Sequence, residues 1–198
     1  MKKLILVLLG TAGIATAGFA QGARVGVKAG TSFTNFSGKD VDLDYKFGFH
    51  GGLIAELGIT DNFAIQPEVL YSMKGARYAD LAAKPRFNQT YLDVPVLFKV
   101  KADGLFFEAG PQVGFLVASK LKDENVAVNV KDGFKTVDLG YAAGLGYEFS
   151  NGALVGLRYN GGISKIDKDF SEDGIEIEAG NVRNSAFQLY VGFIFGGK

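Results

Sequence analysis

From Phe187 to Phe195 every second residue is apolar: Phe187, Leu189, Val191, Phe193 and Phe195 share one face, and Ala186, Gln188, Tyr190 and Gly192 take most of the other. A period of two is the signature of an extended strand, whose successive side chains point to opposite sides, and it cannot serve a helix. Phe63, Ile65, Val69, Tyr71 and Met73 repeat the pattern against Ala64, Gln66, Glu68, Ser72 and Lys74. Similar runs begin near Arg24, Phe47, Thr90, Leu105, Thr136 and Ala153. Together they predict about eight strands, the smallest even number usual for a single-chain outer-membrane barrel.

The connections between runs alternate in length. Thr60-Asp61-Asn62, Lys101-Ala102-Asp103-Gly104 and Ser150-Asn151-Gly152 are short and polar, with the Asn, Asp and Gly residues that hairpin turns favour. Longer, charged links span 36–46, 75–89, 119–135 and 164–183. Short turns on the periplasmic side and long loops outside are the asymmetry of an up-and-down transmembrane β-barrel.

Alternation leaves open which face meets lipid, because a soluble lipocalin-like barrel or a sandwich also alternates. The polar face points to the answer. It carries Gly26, Gly30, Gly52, Gly110, Gly114, Gly140, Gly144, Gly156 and Gly192. Strand glycine is costly on a solvated surface but useful in a narrow closed barrel, where it leaves room for large inward neighbours. The other face places Phe33, Phe47, Phe63, Phe98, Phe107, Phe115, Tyr147, Phe149, Tyr159 and Phe195 near strand ends, where aromatic girdles stand in a membrane. The expected fold is therefore all-β, an antiparallel up-and-down transmembrane barrel with its apolar face turned to lipid.

The first twenty residues read as an export signal: Lys2 and Lys3 precede an apolar core, Leu4 to Leu9, and Gly18-Phe19-Ala20 offers a small-x-small cleavage site. Cleavage between Ala20 and Gln21 is expected, with cleavage after Ala17 as the alternative, so that residues 1–20 form the signal and 21–198 the barrel domain. Gly10, Thr11, Gly13, Thr16 and Gly18 interrupt the apolar run well short of the roughly 20 residues of a membrane-spanning helix. The expected location is the outer membrane of a Gram-negative cell.

Pro67, Pro95 and Pro111 fall inside predicted strands. Proline has no N–H for the ladder, so each is expected to mark a bulge, a strand end or a distortion. The segments Gln66-Pro67-Glu68-Val69-Leu70-Tyr71-Ser72, Tyr91-Leu92-Asp93-Val94-Pro95-Val96-Leu97-Phe98-Lys99 and Glu108-Ala109-Gly110-Pro111-Gln112-Val113-Gly114 resemble those of small porin-family, PorT-like outer-membrane barrel proteins. Val25-Gly26-Val27-Lys28-Ala29-Gly30 and Gly144-Leu145-Gly146-Tyr147-Glu148-Phe149 are similar to the same family. The resemblance implies an eight-stranded barrel, comparable to OmpA and OmpX, with prolines at these places. Gly196-Gly197-Lys198 after Phe195 departs from the terminal aromatic on which many such barrels end.

On the inferred lumen face lie Lys28, His50, Glu56, Glu68, Lys74, Asp93, Lys99, Glu108, Asp138 and Arg158. An interior of about eight strands is just wide enough for side chains, so these residues are expected to form a salt-bridged plug rather than a conduit. Arg158 beside Glu108, Asp138 or Glu68 is the expected centre, because a planar guanidinium engages several carboxylates at once.

Other chemistry finds little support. Cysteine is absent, His50 is the sole histidine, and no G-x-S-x-G motif occurs, so no catalytic, cofactor-binding or metal residue is assigned. Asp169-x-Ser171-x-Asp173-Gly174 resembles the start of a calcium loop, but Gly180 stands where the closing Glu belongs. Lys+Arg 21 against Asp+Glu 21 leaves no basic footprint for nucleic acid. The expected function is non-enzymatic, a structural or surface-interaction role carried by the long outer loops. A passive pore for small solutes is the alternative, followed by a lipid-modifying hydrolase and a soluble binder. Expected partners are outer-membrane lipid and lipopolysaccharide, the barrel-assembly machinery during insertion, and an extracellular partner of the loops.

Overall fold

The computed structural model describes residues 23–38, 43–77, 86–122, 127–167, 170–172, 175–177 and 181–196. The expected signal and its cleavage site lie outside these residues, as do Asp169, Asp173, Gly174 and Gly180 of the calcium-like stretch.

Eight antiparallel strands close on themselves: β1 (Ala23–Ser37), β2 (Asp44–Gly58), β3 (Phe63–Lys74), β4 (Arg86–Ala102), β5 (Leu105–Lys122), β6 (Val137–Glu148), β7 (Ala153–Gly162) and β8 (Arg183–Ile194). Each pairs with its sequence neighbour, and β8 returns to β1 with Ile194 opposite Gly26 and Arg183 opposite Ser37. Closure satisfies both edges of every strand, a condition lipid imposes because it offers unpaired backbone groups no hydrogen bonds. The strand starts expected at Phe47 and Thr90 move outward to Asp44 and Arg86, and the last run begins at Arg183. These strands therefore extend into what the sequence presents as charged links.

Three tight turns share one end with Ala23 and Ile194. Asp103 and Gly104 both take positive φ, 48° and 87°, as a two-residue hairpin with the favoured twist requires. The 150–152 turn closes with Gly152 at φ 89°, its N–H bonded to Phe149 O at 2.9 Å. By the usual asymmetry of these barrels this end is periplasmic and the opposite end faces outward.

The prolines cost pairing but not register. Pro67 pairs with Val96 of β4, while the β2–β3 ladder skips from Ile54–Glu68 to Leu57–Ile65. Pro95 pairs with Gln112 and interrupts β3–β4; Pro111 pairs with Tyr141 and interrupts β4–β5. Each ladder resumes in its former register, so of the bulge, strand end or distortion expected, all three prolines take the last, a local gap in one ladder, and each keeps a paired neighbour on its other side. The register shifts instead at Thr90 and Tyr91, which face Ala118 and Leu116 and leave Val117 as an extra residue. Lys131 Nζ donates to the Val117 carbonyl at 2.9 Å.

Alternation sorts the side chains as the lipid-facing reading requires. Val191 is 61 % exposed and Leu157 57 %, while their inward neighbours Tyr190 and Arg158 are buried. Aromatic contacts form two levels on the outer wall. Phe33–Phe47, Phe187–Tyr159 and Tyr159–Tyr141, with ring centroids 5.5, 4.9 and 6.1 Å apart, lie toward the outside. Phe63–Phe98 and Phe193–Phe195, 6.4 and 5.4 Å apart, lie toward the periplasm. Along β8 and the residue that follows it the two levels, Phe187 and Phe195, are separated by about 27 Å of chain, or about 20 Å along the membrane normal at the usual tilt. That is close to the apolar height of an outer membrane.

Candidate functional site in the barrel lumen

The inward face is filled in layers. At the periplasmic end Lys99 Nζ donates to Glu56 at 2.9 Å, to Gln66 at 3.3 Å and to Glu148 at 3.3 Å. Arg24 pairs with Glu148 at 2.7 Å and also with Glu56, which Lys101 engages from the other side. Three cations thus share two carboxylates. Below them a vestibule of about 570 Å³ opens to the periplasm, lined by Arg24, Asp61, Lys101, Glu148 and the tight turns.

An apolar band of Ile54, Phe106, Leu154, Tyr190 and Ile194 separates this layer from the next. Glycine makes that band possible. A Cβ on Gly156 would lie 2.5 Å from the Tyr190 ring, and one on Gly146 would lie 2.4 Å from Phe106 Cζ. The inward glycines therefore make room for large neighbours, as the narrow-barrel reading requires.

In the middle, Arg158 presents its guanidinium to Glu68 through two parallel hydrogen bonds of 2.7 and 2.9 Å, and donates from Nε to Glu108 at 2.8 Å. Such a forked pair is among the stronger charge-assisted contacts. Lys28 Nζ stands 3.3 Å from both Glu68 oxygens and 3.7 Å above the Tyr190 ring, and the Tyr190 hydroxyl donates to Glu108 at 2.8 Å. Two cations meet two carboxylates, and all four side chains are almost wholly buried. Of the three acids expected around Arg158, the structure selects Glu68 and Glu108.

Asp138 belongs elsewhere. It accepts from Asn184 at 2.9 Å and from Ser164 at 3.3 Å in an outer layer where Lys74 pairs with Asp93 at 2.8 Å. Asp138 and Arg158 stand on adjacent strands, with Gly140 opposite Gly162 and Gly144 opposite Arg158. Asp138 therefore stands six positions along β6 from the Arg158 level.

Above the outer layer the lumen is covered by apolar side chains rather than charge. Phe36, Ala76 and Ile166 form a buried cluster against Leu43, Phe87, Phe134 and Val182. These residues come from all four long connections and the strand ends beside them. Ile166 is fully buried, its N–H bonded to Val182 O and its carbonyl accepting from Lys135 N. Nothing in the charged composition of those links announced such a lid.

His50 accepts or donates at Nδ1 to Ser32 Oγ, 3.0 Å away, a pair the sequence did not suggest. Both residues are buried in the lumen, and among the described residues no carboxylate bonds His50. The pair therefore lacks both an orienting acid and access for an acyl substrate. Among the described residues no group of three His, Cys, Asp or Glu could hold a metal ion.

Arg24, Gln66, Lys101, Glu148, Tyr190 and Asn184 join the network beyond the residues expected. Arg24 and Glu148 continue the inward parity of Gly26 and Gly144, a signal strand alternation contains. Lys101 was hidden because its position reads as part of a turn.

The closed eight-strand ladder with an apolar exterior has a counterpart among known families, since residues 19–168 match the outer membrane protein beta-barrel domain family. The chain belongs to that family. Its localisation is accordingly the outer membrane. Among solved structures, Neisserial surface protein A is similar in fold, with 16 % identity, a TM-score of 0.55, and 87 % of this chain covering 99 % of that one. Ail, the attachment invasion locus protein of Yersinia pestis, is similar at 16 % identity and a TM-score of 0.51, over 88 % of this chain and 99 % of Ail. At these identities the likeness is one of fold. No curated protein matches the chain.

Proposed function

We propose that this outer-membrane barrel is non-enzymatic, keeps its lumen closed, and acts through its extracellular surface in a structural or interaction role. The observation that carries this reading is the stacking of three ionic layers, an apolar band and an apolar lid along the lumen axis. A path for solute would have to break several buried charge pairs in succession, and unpairing even one is expensive in a low dielectric. With the interior given over to packing, the long outer connections are the parts free to meet a partner. Surface attachment is the role that Ail's name records for a barrel of this plan. Lipid and lipopolysaccharide would surround the wall, and the barrel-assembly machinery would insert it.

The competing reading is a passive pore. The 570 Å³ periplasmic vestibule favours it, as do buried, unpartnered oxygens at Gln112, Asn160, Asn184 and Gln188 that water could satisfy. Planar-bilayer recording decides between them: purified protein is expected to give no stable conductance steps, and a reproducible open channel from the intact barrel would sink the closed-lumen reading.

A further inference from the structure

The charge balance of the lumen changes from layer to layer. At the periplasmic end three cations share two carboxylates, and in the middle two meet two. The outer layer reverses the first ratio: Asp93 and Asp138 face a single ammonium, that of Lys74, and all three side chains are buried. Lys74 is committed to Asp93 at 2.8 Å and stands 4.5 Å over the Tyr91 ring, which leaves it 3.9 Å from Asp138, beyond hydrogen-bond reach. Lys46, the next inward cation, turns instead to the Lys74 carbonyl at 3.4 Å and pairs with no carboxylate among the described residues. The layer is thus one positive charge short, and a buried carboxylate without a full partner is costly.

Beside Asp138 lies a small cavity of about 10 Å³, room for one water-sized species. Glycine leaves the space. Gln112 of β5 stands opposite Gly140 of β6, and Gly140 opposite Gly162 of β7, so two paired inward positions carry no side chain. Amides surround it: Gln112, Asn160 and Asn184 are each 6 % exposed, and each has a buried side-chain oxygen that no donor reaches. Asn184 donates its amide nitrogen to Asp138 at 2.9 Å, so only its oxygen remains to be offered. Buried oxygens without donors call for a water or an ion, and the missing charge at Asp138 selects between the two.

We propose that this cavity is a site for one alkali-metal cation, held by Asp138 and by the side-chain oxygens of Gln112, Asn160 and Asn184. One carboxylate and three neutral oxygens form the all-oxygen donor set that a hard cation takes, and a single positive charge brings the outer layer to balance. A divalent ion would leave the layer with an excess, and Mg²⁺ keeps several of its waters, for which there is no room. The site does not depend on what the outer loops meet.

The test follows urea unfolding of the full-length barrel in lipid vesicles at one fixed ionic strength, supplied by sodium chloride, potassium chloride or choline chloride, choline being too large for the cavity. The unfolding midpoint is expected to be higher in sodium or potassium than in choline and to rise with the alkali fraction, because a ligand of the folded state stabilises it by mass action. Asp138→Asn, which keeps an oxygen for Asn184 to bond, is expected to lose that dependence. Asn160→Ala is expected to need about fivefold more of the cation for the same rise. Asp61→Asn, at an exposed carboxylate in a periplasmic turn, is expected to behave as the parent does. Equal midpoints in sodium, potassium and choline would mean that water and a proton complete the layer, and would overturn the proposal. The same cation dependence in a folded Asp138→Asn variant would overturn it as well. A larger rise in calcium chloride, abolished by Asp138→Asn, would make the site a divalent one and rule out the monovalent assignment. Heat-dependent gel mobility reports whether each variant is folded, and Asn160→Ala decides the matter if Asp138→Asn is not.

Discussion

Arg158 and Glu68 are joined across the middle of the barrel by two parallel hydrogen bonds of 2.7 and 2.9 Å, although 90 residues separate them along the chain. Glu68 sits on β3 and Arg158 on β7, so the contact spans the lumen between walls that share no ladder. It ties the early half of the barrel to the late half where no backbone bond can.

Removing the guanidinium leaves Glu68 and Glu108 facing each other with only Lys28 as cation. Arg158→Met is expected to destabilise the barrel by about 3–5 kcal/mol, because a buried charge left without its partner keeps its full desolvation cost. Adding Glu108→Gln to that variant leaves Lys28 paired with Glu68 and is expected to recover most of the loss. Urea unfolding in lipid vesicles measures both; a double variant as unstable as the single one would contradict the pairing.

The fit between Gly156 and Tyr190 makes a second expectation. All three of the atoms nearest a Cβ at Gly156 belong to the Tyr190 side chain, two ring carbons and the hydroxyl oxygen, so Gly156→Ala forces that side chain to move. A loss of about 1–3 kcal/mol is expected, typical of overpacking. Shortening the neighbour, as in Gly156→Ala with Tyr190→Leu, is expected to cost less than the two changes summed. Strict additivity in a double-mutant cycle would show that the ring is not the obstacle.

The lid and the ionic layers should act separately. Ile166→Asp places a charge in the apolar cluster and is expected to expose Lys131 and Lys135 to trypsin while the barrel keeps its heat-dependent gel shift. Conductance is expected to stay silent, because the Lys74–Asp93 and Arg158–Glu68 layers remain beneath. Channel activity in this variant alone would assign closure to the lid instead.

The outer wall offers the simplest check on direction. Val191→Arg introduces a charge on the exposed face of β8 between the two aromatic levels, where about 2–4 kcal/mol of destabilisation is expected near the bilayer midplane. Ser37→Arg, at the outer end of β1, is expected to be nearly neutral. Similar effects at the two positions would argue against a lipid-facing wall at Val191.

Strand number, strand direction and the sorting of faces were legible in the sequence because alternation is a local property, visible in any run such as 187–195. The turn at Asp103-Gly104 was legible for the same reason, since its positive φ values need those residue types. Which acid meets which base was not. Asp138 and Glu108 share the inward parity of their strands equally, and only the stagger of the closed sheet sets one of them beside Arg158. At Pro67, Pro95 and Pro111 the sequence announced a disturbance, and each does interrupt a ladder; that the gap stays on one side, with pairing kept on the other, is a property of the closed sheet. The lid left no trace because Phe36, Phe134 and Ile166 come from connections without periodicity, and their meeting depends on four loops converging over one mouth.

The pairing of β1 with β8 sets a condition on how the molecule comes into being. The seam is made by the first and eighth strands of the barrel, from Gly26 with Ile194 to Ser37 with Arg183, so the cylinder has no closed form until the eighth strand arrives. A chain cut short before Arg183 would present two raw edges to the bilayer, and every earlier strand could be faultless without helping. Completion is thus a condition of geometry: an open seam is what distinguishes an unfinished barrel from a finished one.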